Sequence, residues 1–473
     1  MRRIFVKERS FWTKESFASE YGMSSEKAAA CIYALMDHGM MVVRSGAEPD
    51  EFGESSGSAA SFQVVFVGIA VFDDLVVISY PKYFTRKPTD DELRQVFCVL
   101  CKSASTKLRD SFEHDEDAMR ANAVALMLAI IESYEIYGVY SNFRKELRDN
   151  GAGEISWERT ISMVQPYIQH GNAIYLDYKT VDSMRDLSDF VTRLHKSVLT
   201  ECSSFLGSCG LNDFLSLDDV ELSDETLEDF GDDELILHRL ENERVGQFVT
   251  WKQEVIHQLV MYVRGNGFKV GKGEIAALGT TSFQHIWEEA CKSAFGDVLK
   301  VQLDKLGFEL RGEFASLGSE IVLDLVPHPR WRRVANGELI ACGEVATLVP
   351  DVVAIRDIGC GDLEFCIYDA KYYTPVLGNA VCGVPGVESV AKQFLYQSAY
   401  RRFVEEHGFS RVRNTFLVPS DKQVFEKMGT VDFPRVIDTS GLPFSDVVEM
   451  WSLPAKDIFE SYLKETRLIE SDL

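Results

Sequence analysis

Three residues stand out for their chemistry: Asp351, Asp369 and Lys371, within Pro350–Tyr373, PDVVAIRDIGCGDLEFCIYDAKYY. Carboxylate oxygens are the hard ligands that Mg²⁺ prefers, and two of them leave coordination positions free for water and a phosphate oxygen. A metal so held lowers the pKa of bound water and offsets charge that develops on a phosphate. A lysine two residues beyond one carboxylate can orient the attacking water, help to deprotonate it, or stabilise a pentavalent phosphate. Mn²⁺ is expected to substitute for Mg²⁺. The plainer reading is an exposed strand that carries ordinary charges, since Pro-Asp and Asp-Ala-Lys are each common alone.

What would bring these residues together is a β-hairpin. Two β-rich runs, Val352–Ile355 and Leu363–Tyr373, flank Gly359-Cys360-Gly361. A turn centred on Cys360 places Asp351 opposite Asp369, although the two lie 18 residues apart in sequence. Side chains alternate along a strand, so Asp369 and Lys371 share a face.

At 473 residues the chain exceeds what one core usually supports, and two or three domains are expected. Apolar residues make up 46% and aromatic residues 11%, the composition of a folded globular protein. No apolar run reaches the 18 or so residues of a membrane span, and MRRIFVKERSFW lacks the apolar core of a signal peptide. The ten cysteines are scattered, and Cys98 and Cys101 form a CxxC with no second pair at zinc-like spacing. Reduced, mostly buried thiols in a cytoplasmic protein are expected. The net charge of −25 opposes non-specific attraction to DNA. Eleven acidic residues and no Lys or Arg fall in Asp213–Glu234, and the chain stays acidic without them. Contact with phosphates must then come from local basic patches or from a partner.

Thr13–Val43 reads as helix, Gly-containing turn, helix and β-run, the pattern of a winged helix-turn-helix, with Ser24 and Ser25 as N-caps. It could contact DNA or protein. Residues 1–48 form this module, and Gly/Ser/Glu-rich residues 49–61 form a linker. A mixed α/β region follows over 62–210. In it, two β-runs surround Asp73-Asp74 and end in Pro81-Lys82-Tyr83-Phe84. Helical blocks over Asp90–Ser103 and Ala118–Asp149 come next, then a short strand, Ile174–Tyr178. His195 has no second histidine at i+3 or i+4 and reads as a hydrogen-bonded partner, not a ligand. Residues 211–245 read as an acidic linker, and 246–473 as the domain that carries the hairpin.

In that last domain, Thr280–Phe295 reads as a helix with Phe283, Ile286, Trp287, Ala290 and Ala294 on its buried face, and with Glu288 and Glu289 on either side. Arg330, Trp331, Arg332 and Arg333 form the densest basic cluster in the chain. Guanidinium groups suit phosphates and an indole can stack on a base. A solvated surface loop is the equal alternative. Gly378–Gly386 reads as a loop and Glu388–His407 as one long helix, with Gln393, Gln397 and Tyr400 on one face. Asn414–Pro419 reads as a strand and Pro454–Ile469 as a closing helix.

Pro-Asp followed by Asp-Ala-Lys is similar to the PD-(D/E)xK nuclease core, and IYDAKYY resembles the LlaJI type of restriction endonuclease. FVGIAVFDDLVVISYPKYF (Phe66–Phe84), ISWERTI (Ile155–Ile161), AIYLDY (Ala173–Tyr178) and TTSFQHIWE (Thr280–Glu288) extend the resemblance over most of the chain. It implies a bacterial defence nuclease that acts on double-stranded DNA, with a separate McrB-like AAA+ GTPase as partner. It also implies a third carboxylate at Glu288, with Glu289 as fallback, and a glutamine at Gln393, with Lys392 as a weaker candidate. The usual Gln-x-x-x-Tyr spacing is not met, since Tyr396 and Tyr400 follow Gln393 by three and seven residues.

The expected architecture is therefore α/β and multi-domain: an N-terminal winged-helix-like module, a mixed α/β middle region and a C-terminal PD-(D/E)xK restriction-endonuclease-like core. The expected activity is Mg²⁺-dependent hydrolysis of DNA. The rival class is a non-catalytic DNA-binding or scaffold protein with a decayed core, and a stand-alone repair nuclease is a third reading. No Gly-x-x-x-x-Gly-Lys-[Ser/Thr] loop is present, so a nucleotide motor must be another chain.

Overall fold

The structure is a computed structural model that describes residues 1–44, 61–110, 123–265, 275–335, 338–344, 346–359, 361–434 and 443–468. It is a mixed α/β protein with several separate sheets. The chain divides into two compact units, one of residues 1–3, 70–76 and 107–278, the other of residues 4–69, 77–106 and 279–473. Sequence reading expected domains in succession along the chain. Each of the two units is assembled from several segments of the chain. No described helix is long and apolar enough to cross a membrane.

The second unit holds a five-stranded mixed sheet: β1 (Val352–Asp357), β2 (Leu363–Ala370), β3 (Arg411–Ser420), β4 (Glu426–Asp432) and β5 (Val447–Pro454), in the order β1-β2-β3-β5-β4. β1/β2 and β4/β5 pair antiparallel, whereas β2/β3 and β3/β5 pair parallel. Helices α1 (Phe283–Phe295), α2 (Val387–Ala399), α3 (Arg401–His407) and α4 (Ala455–Lys464) accompany it. α1 buries the expected face, with Phe283, Ile286, Trp287, Ala290 and Ala294 all inaccessible. Gly296 ends it with φ of 64°, a left-handed cap that a side chain would strain. Trp287 is wholly buried and its indole N–H donates to the Leu417 carbonyl at 3.1 Å. Truncating such a residue to alanine costs about 3–5 kcal/mol.

Both edges of this sheet are modified. On β1, Val353 N–H donates to Asp297 Oδ1 at 2.9 Å, and its carbonyl accepts from Val298 N–H at 2.8 Å. On β4, the register shifts between Lys427 and Gly429. At the N-terminal end of β2, Glu364 is 2% exposed and faces three guanidinium groups. Arg413 Nε lies at 3.2 Å, Arg411 Nε at 3.3 Å and Arg356 Nη1 at 3.7 Å.

The N-terminal residues of the same unit give helices Lys14–Glu20 and Ser25–Asp37 and a three-stranded antiparallel sheet of Phe11–Trp12, Ser61–Val64 and Met41–Arg44. Thr13 closes a capping box with Ser16, and Ser24 accepts from Lys27 N–H, so of the two serines Ser24 is the cap. Nearly all of the 49–61 linker lies outside the described residues.

In the first unit, helices Ala123–Tyr137, Phe190–Ser208, Asp233–Gly246 and Thr250–Arg264 form the core. His195 is buried on the second of them and accepts from Tyr140 N–H through Nδ1 at 3.0 Å, a structural role as expected. Several local readings need correction. Phe143–Asp149 is a strand, paired with Lys179–Arg185, not the end of a helix. The short strand expected over Ile174–Tyr178 is replaced by Asn172–Ile174 and Lys179–Arg185. Residues 211–245 are folded: Leu227, Phe230, Ile236 and Leu240 are buried, and Arg193 pairs with Glu225. Apolar residues spaced through the acidic run carry it against Phe190–Ser208.

Candidate active site

β1 and β2 pair from Asp357↔Leu363 to Val352↔Tyr368, and one further step sets Asp351 opposite Asp369. The turn rests on Gly359 and Gly361, with φ of 94° and 84°, values that favour glycine; Cys360 lies outside the described residues. Gly359 N–H donates to Asp357 Oδ1 at 2.8 Å, which closes the turn.

At the open end of the hairpin, Asp351 Oδ2 accepts from Ala370 N–H at 2.9 Å. Asp369 is buried, with Oδ2 2.8 Å from Lys371 Nζ. Burial pushes the Asp351 carboxyl well above the usual range, and the Asp369 charge, a hydrogen bond shared with Asp369 and the Glu288 charge add to the shift, while Lys371 opposes it. Burial alone would lower the Lys371 ammonium, but the charge and hydrogen bond of Asp369, together with Asp351, raise it instead. Two carboxylates thus share one lysine, and the charge of Glu288 is felt at Asp351.

Glu288 reaches this cluster from α1, with His285 Nδ1 at 3.5 Å from its Oε2. Glu289 turns the other way and accepts from Ser103 Oγ at 3.2 Å and Tyr462 Oη at 3.4 Å. Gln393 on α2 is fully buried, its backbone carbonyl accepts from Asn414 Nδ2 at 3.0 Å, and its amide oxygen and nitrogen have no hydrogen-bond partner among the described residues. No hydrogen bond joins it to either aspartate. Lys392 pairs with Glu388 at 3.3 Å on the exposed side of the same helix.

Tyr396, which the sequence reading named only for missing the usual spacing from Gln393, lies within electrostatic reach of both aspartates. Burial lifts its hydroxyl to about 12, helped by the charges of Asp369 and Asp351, and its Oη donates to the Val349 carbonyl at 3.0 Å. Its i+3 spacing from Gln393 was the available signal. The long helix expected here is broken at Tyr400, which turns into the core with its ring 5.0 Å from Phe365.

Arg330, Trp331, Arg332 and Arg333 lie on a separate two-stranded hairpin, Arg330–Ala335 with Glu338–Glu344, not on a loop. All four are exposed, and Trp331 is 64% accessible. The Gly378–Gly386 loop likewise contains strand Val381–Cys382, paired with Val376–Leu377.

Among the described residues, no three His, Cys, Asp or Glu side chains are grouped closely enough to hold a metal ion as they stand. The donor types still suit a hard divalent cation: Asp351 and Asp369 offer oxygens, and a cation would offset the burial and the Asp369 charge that together lift Asp351.

Comparison with known proteins covers most of the chain. The BsuMI component YdjA of Bacillus subtilis (strain 168), described as a type II restriction enzyme component, is 24% identical over 425 residues, covering 86% of this chain and 82% of that protein. Among solved structures, the half-complex of Thermococcus gammatolerans McrB AAA+ hexamers with bound McrC aligns over 98% of this chain and 99% of the matched chain, at 11% identity and a TM-score of 0.38. The McrBC complex of the same organism aligns over 60% and 84%, at 14% identity and a TM-score of 0.26. The family profile described as LlaJI restriction endonuclease matches residues 66–307 and 318–447, well over half of the sequence, and the chain belongs to that family.

Proposed function

We propose that this protein is the nuclease component of a restriction system and hydrolyses double-stranded DNA with Mg²⁺, or Mn²⁺ in its place. The reading rests on one observation: Asp351 and Asp369 meet at the end of a hairpin with Lys371 paired to Asp369. Asp351 and Asp369 would hold the cation, with Glu288 assisting from α1. The cation, when bound, polarises the scissile phosphate and acidifies its water. Lys371 orients the attacking water and donates to the phosphate as negative charge builds. Its ammonium stays protonated beside Asp369, so it acts first as a donor, not a base. Gln393 is assigned to the helix that backs the site. Arg330, Arg332 and Arg333 would contact the DNA backbone, and Trp331 would stack on a base.

A partner enters from the family resemblance and from charge. At −25 the chain repels duplex DNA beyond its basic patches, so a separate McrB-like AAA+ GTPase would supply much of the affinity. That the relative YdjA is called a component accords with a multi-chain system. Such a system would work in the cytoplasm.

The test is plasmid cleavage by the purified chain in Mg²⁺ or Mn²⁺, with and without an added McrB-like GTPase, and with Asp369→Asn as control. Cutting by the wild type alone is the expected result. Equal cutting by Asp369→Asn would remove the hairpin from the mechanism. No cutting under any condition would leave a binding module.

A further inference from the structure

Lys371 lies one residue past the end of β2, where a strand is least constrained. Its N–H still donates to the Leu417 carbonyl at 2.9 Å, but no strand resumes before Val376. A single backbone bond at a strand end does not fix a long, flexible side chain, which carries up to ~2 kcal/mol of rotamer entropy. Something else must hold this exit.

Alternation provides the place. Lys371 points towards Asp369, so Tyr372 points to the opposite face. Tyr372 is 6% exposed, its ring 5.2 Å from Phe283 of α1 and 6.5 Å from Tyr83. Its hydroxyl donates to Glu8 Oε2. Lys82 N–H donates to the same Glu8 oxygen at 3.1 Å and to Tyr372 Oη at 3.2 Å, and Lys82 Nζ sits 4.3 Å from the centre of the tyrosine ring. Glu8 is itself buried, with its N–H bonded to the Tyr80 carbonyl at 2.9 Å. A buried carboxylate is costly unless its oxygens are satisfied, and Glu8 uses one of them to join the Pro81-Lys82 corner to the residue that follows Lys371.

We propose that Glu8 and Tyr372 are positioning residues, whose contact fixes the exit of β2 and so holds Lys371 beside Asp369. The proposal rests on the reading of Asp369 and Lys371 as the nuclease centre. Neither Glu8 nor Tyr372 touches the reacting atoms. The N-terminal segment, 364 residues away in sequence, thereby becomes part of the machinery that sets the lysine.

The test uses the full chain and two readouts. The first is reductive methylation of lysines, followed by mass spectrometry, with the exposed Lys392 as internal reference. Tyr372→Phe keeps the ring and removes the hydroxyl, and should raise labelling at Lys371 severalfold while Lys392 is unchanged. Labelling of Lys371 at the wild-type rate overturns the proposal. The second is single-turnover plasmid cleavage beside DNA affinity: Tyr372→Phe should slow cleavage about tenfold, the effect of losing one hydrogen bond of typical net strength, with the Kd for DNA unchanged. Glu8→Ala should match Tyr372→Phe, and Glu8→Gln, which keeps an acceptor for the hydroxyl, should restore most of the rate. If the wild type cuts, Asp369→Asn does not and Tyr372→Phe cuts at full rate, positioning fails and the nuclease reading stands. If no form cuts but Lys371 labelling responds to Tyr372→Phe, the nuclease reading fails alone.

Discussion

One strand, β2, carries opposite kinds of charge cluster at its two ends. At the N-terminal end a single buried carboxylate, Glu364, meets three guanidinium groups. At the C-terminal end Asp369 and Asp351, with Glu288 in electrostatic reach, share one lysine. The first cluster has more donors than its carboxylate needs, and Glu364 is saturated. The second is short of positive charge, and its chemistry is open to an added cation. Positions only five residues apart on a common strand thus separate a carboxylate matched by guanidinium groups from carboxylates that share a single ammonium.

The comparison can be broken by substitution. Lys371→Ala should reduce cleavage by about 100- to 1,000-fold, the usual cost of losing a transition-state donor, with circular dichroism unchanged. Glu364→Ala should act on stability: it leaves guanidinium groups buried without their partner and should cost about 3 kcal/mol in denaturant unfolding, after a discount for the half-exposed Arg411. Asp351→Asn should do the opposite, abolishing cleavage while leaving stability unchanged or raised, because it replaces a carboxyl that burial disfavours in its charged form with a neutral group of the same shape. Equal loss of stability in both variants would erase the contrast.

A third buried ionisable group, His195, has no charge partner and sharpens the point. Burial lowers its pKa from 6.5 to about 4. The unfolded chain therefore binds more protons below pH 6.5, and the stability present at pH 7 is lost progressively as pH falls towards 4. Between pH 7 and 5 the loss should be about 2 kcal/mol. His195→Leu should flatten that acid limb. The smallest effect is expected from Glu289→Gln, within about twofold of wild-type cleavage, since Glu289 bonds to Ser103 and Tyr462. Glu288→Gln should slow cleavage and raise the metal requirement.

The hairpin was legible because its signals are local. Strand period, β-branched runs and a glycine turn suffice to set Asp351 against Asp369, and α1 was readable from its apolar spacing. Less local features were not. Phe143–Asp149, FRKELRD, is charged enough to pass for a helix, and only pairing with Lys179–Arg185 makes it a strand. The acidic run over 211–245 looked like a linker because its few apolar residues are thinly spread. Tyr400 marks the boundary between two helices where the sequence pattern is continuous, and its ring packs against Phe365. Glu8 had no sequence signal at all, since its partner is 364 residues away.

The covered edge of β1 has a further consequence. A bare strand edge offers its backbone groups to any neighbouring chain, and two copies can then join their sheets. Here Asp297 and Val298 occupy the backbone of Val353, and the bulge at Lys427–Gly429 distorts the opposite edge. Edge-to-edge pairing of two copies through this sheet is thereby disfavoured at Val353 and beside the Lys427–Gly429 irregularity. A chain of this kind is less prone to extend its sheet into fibres.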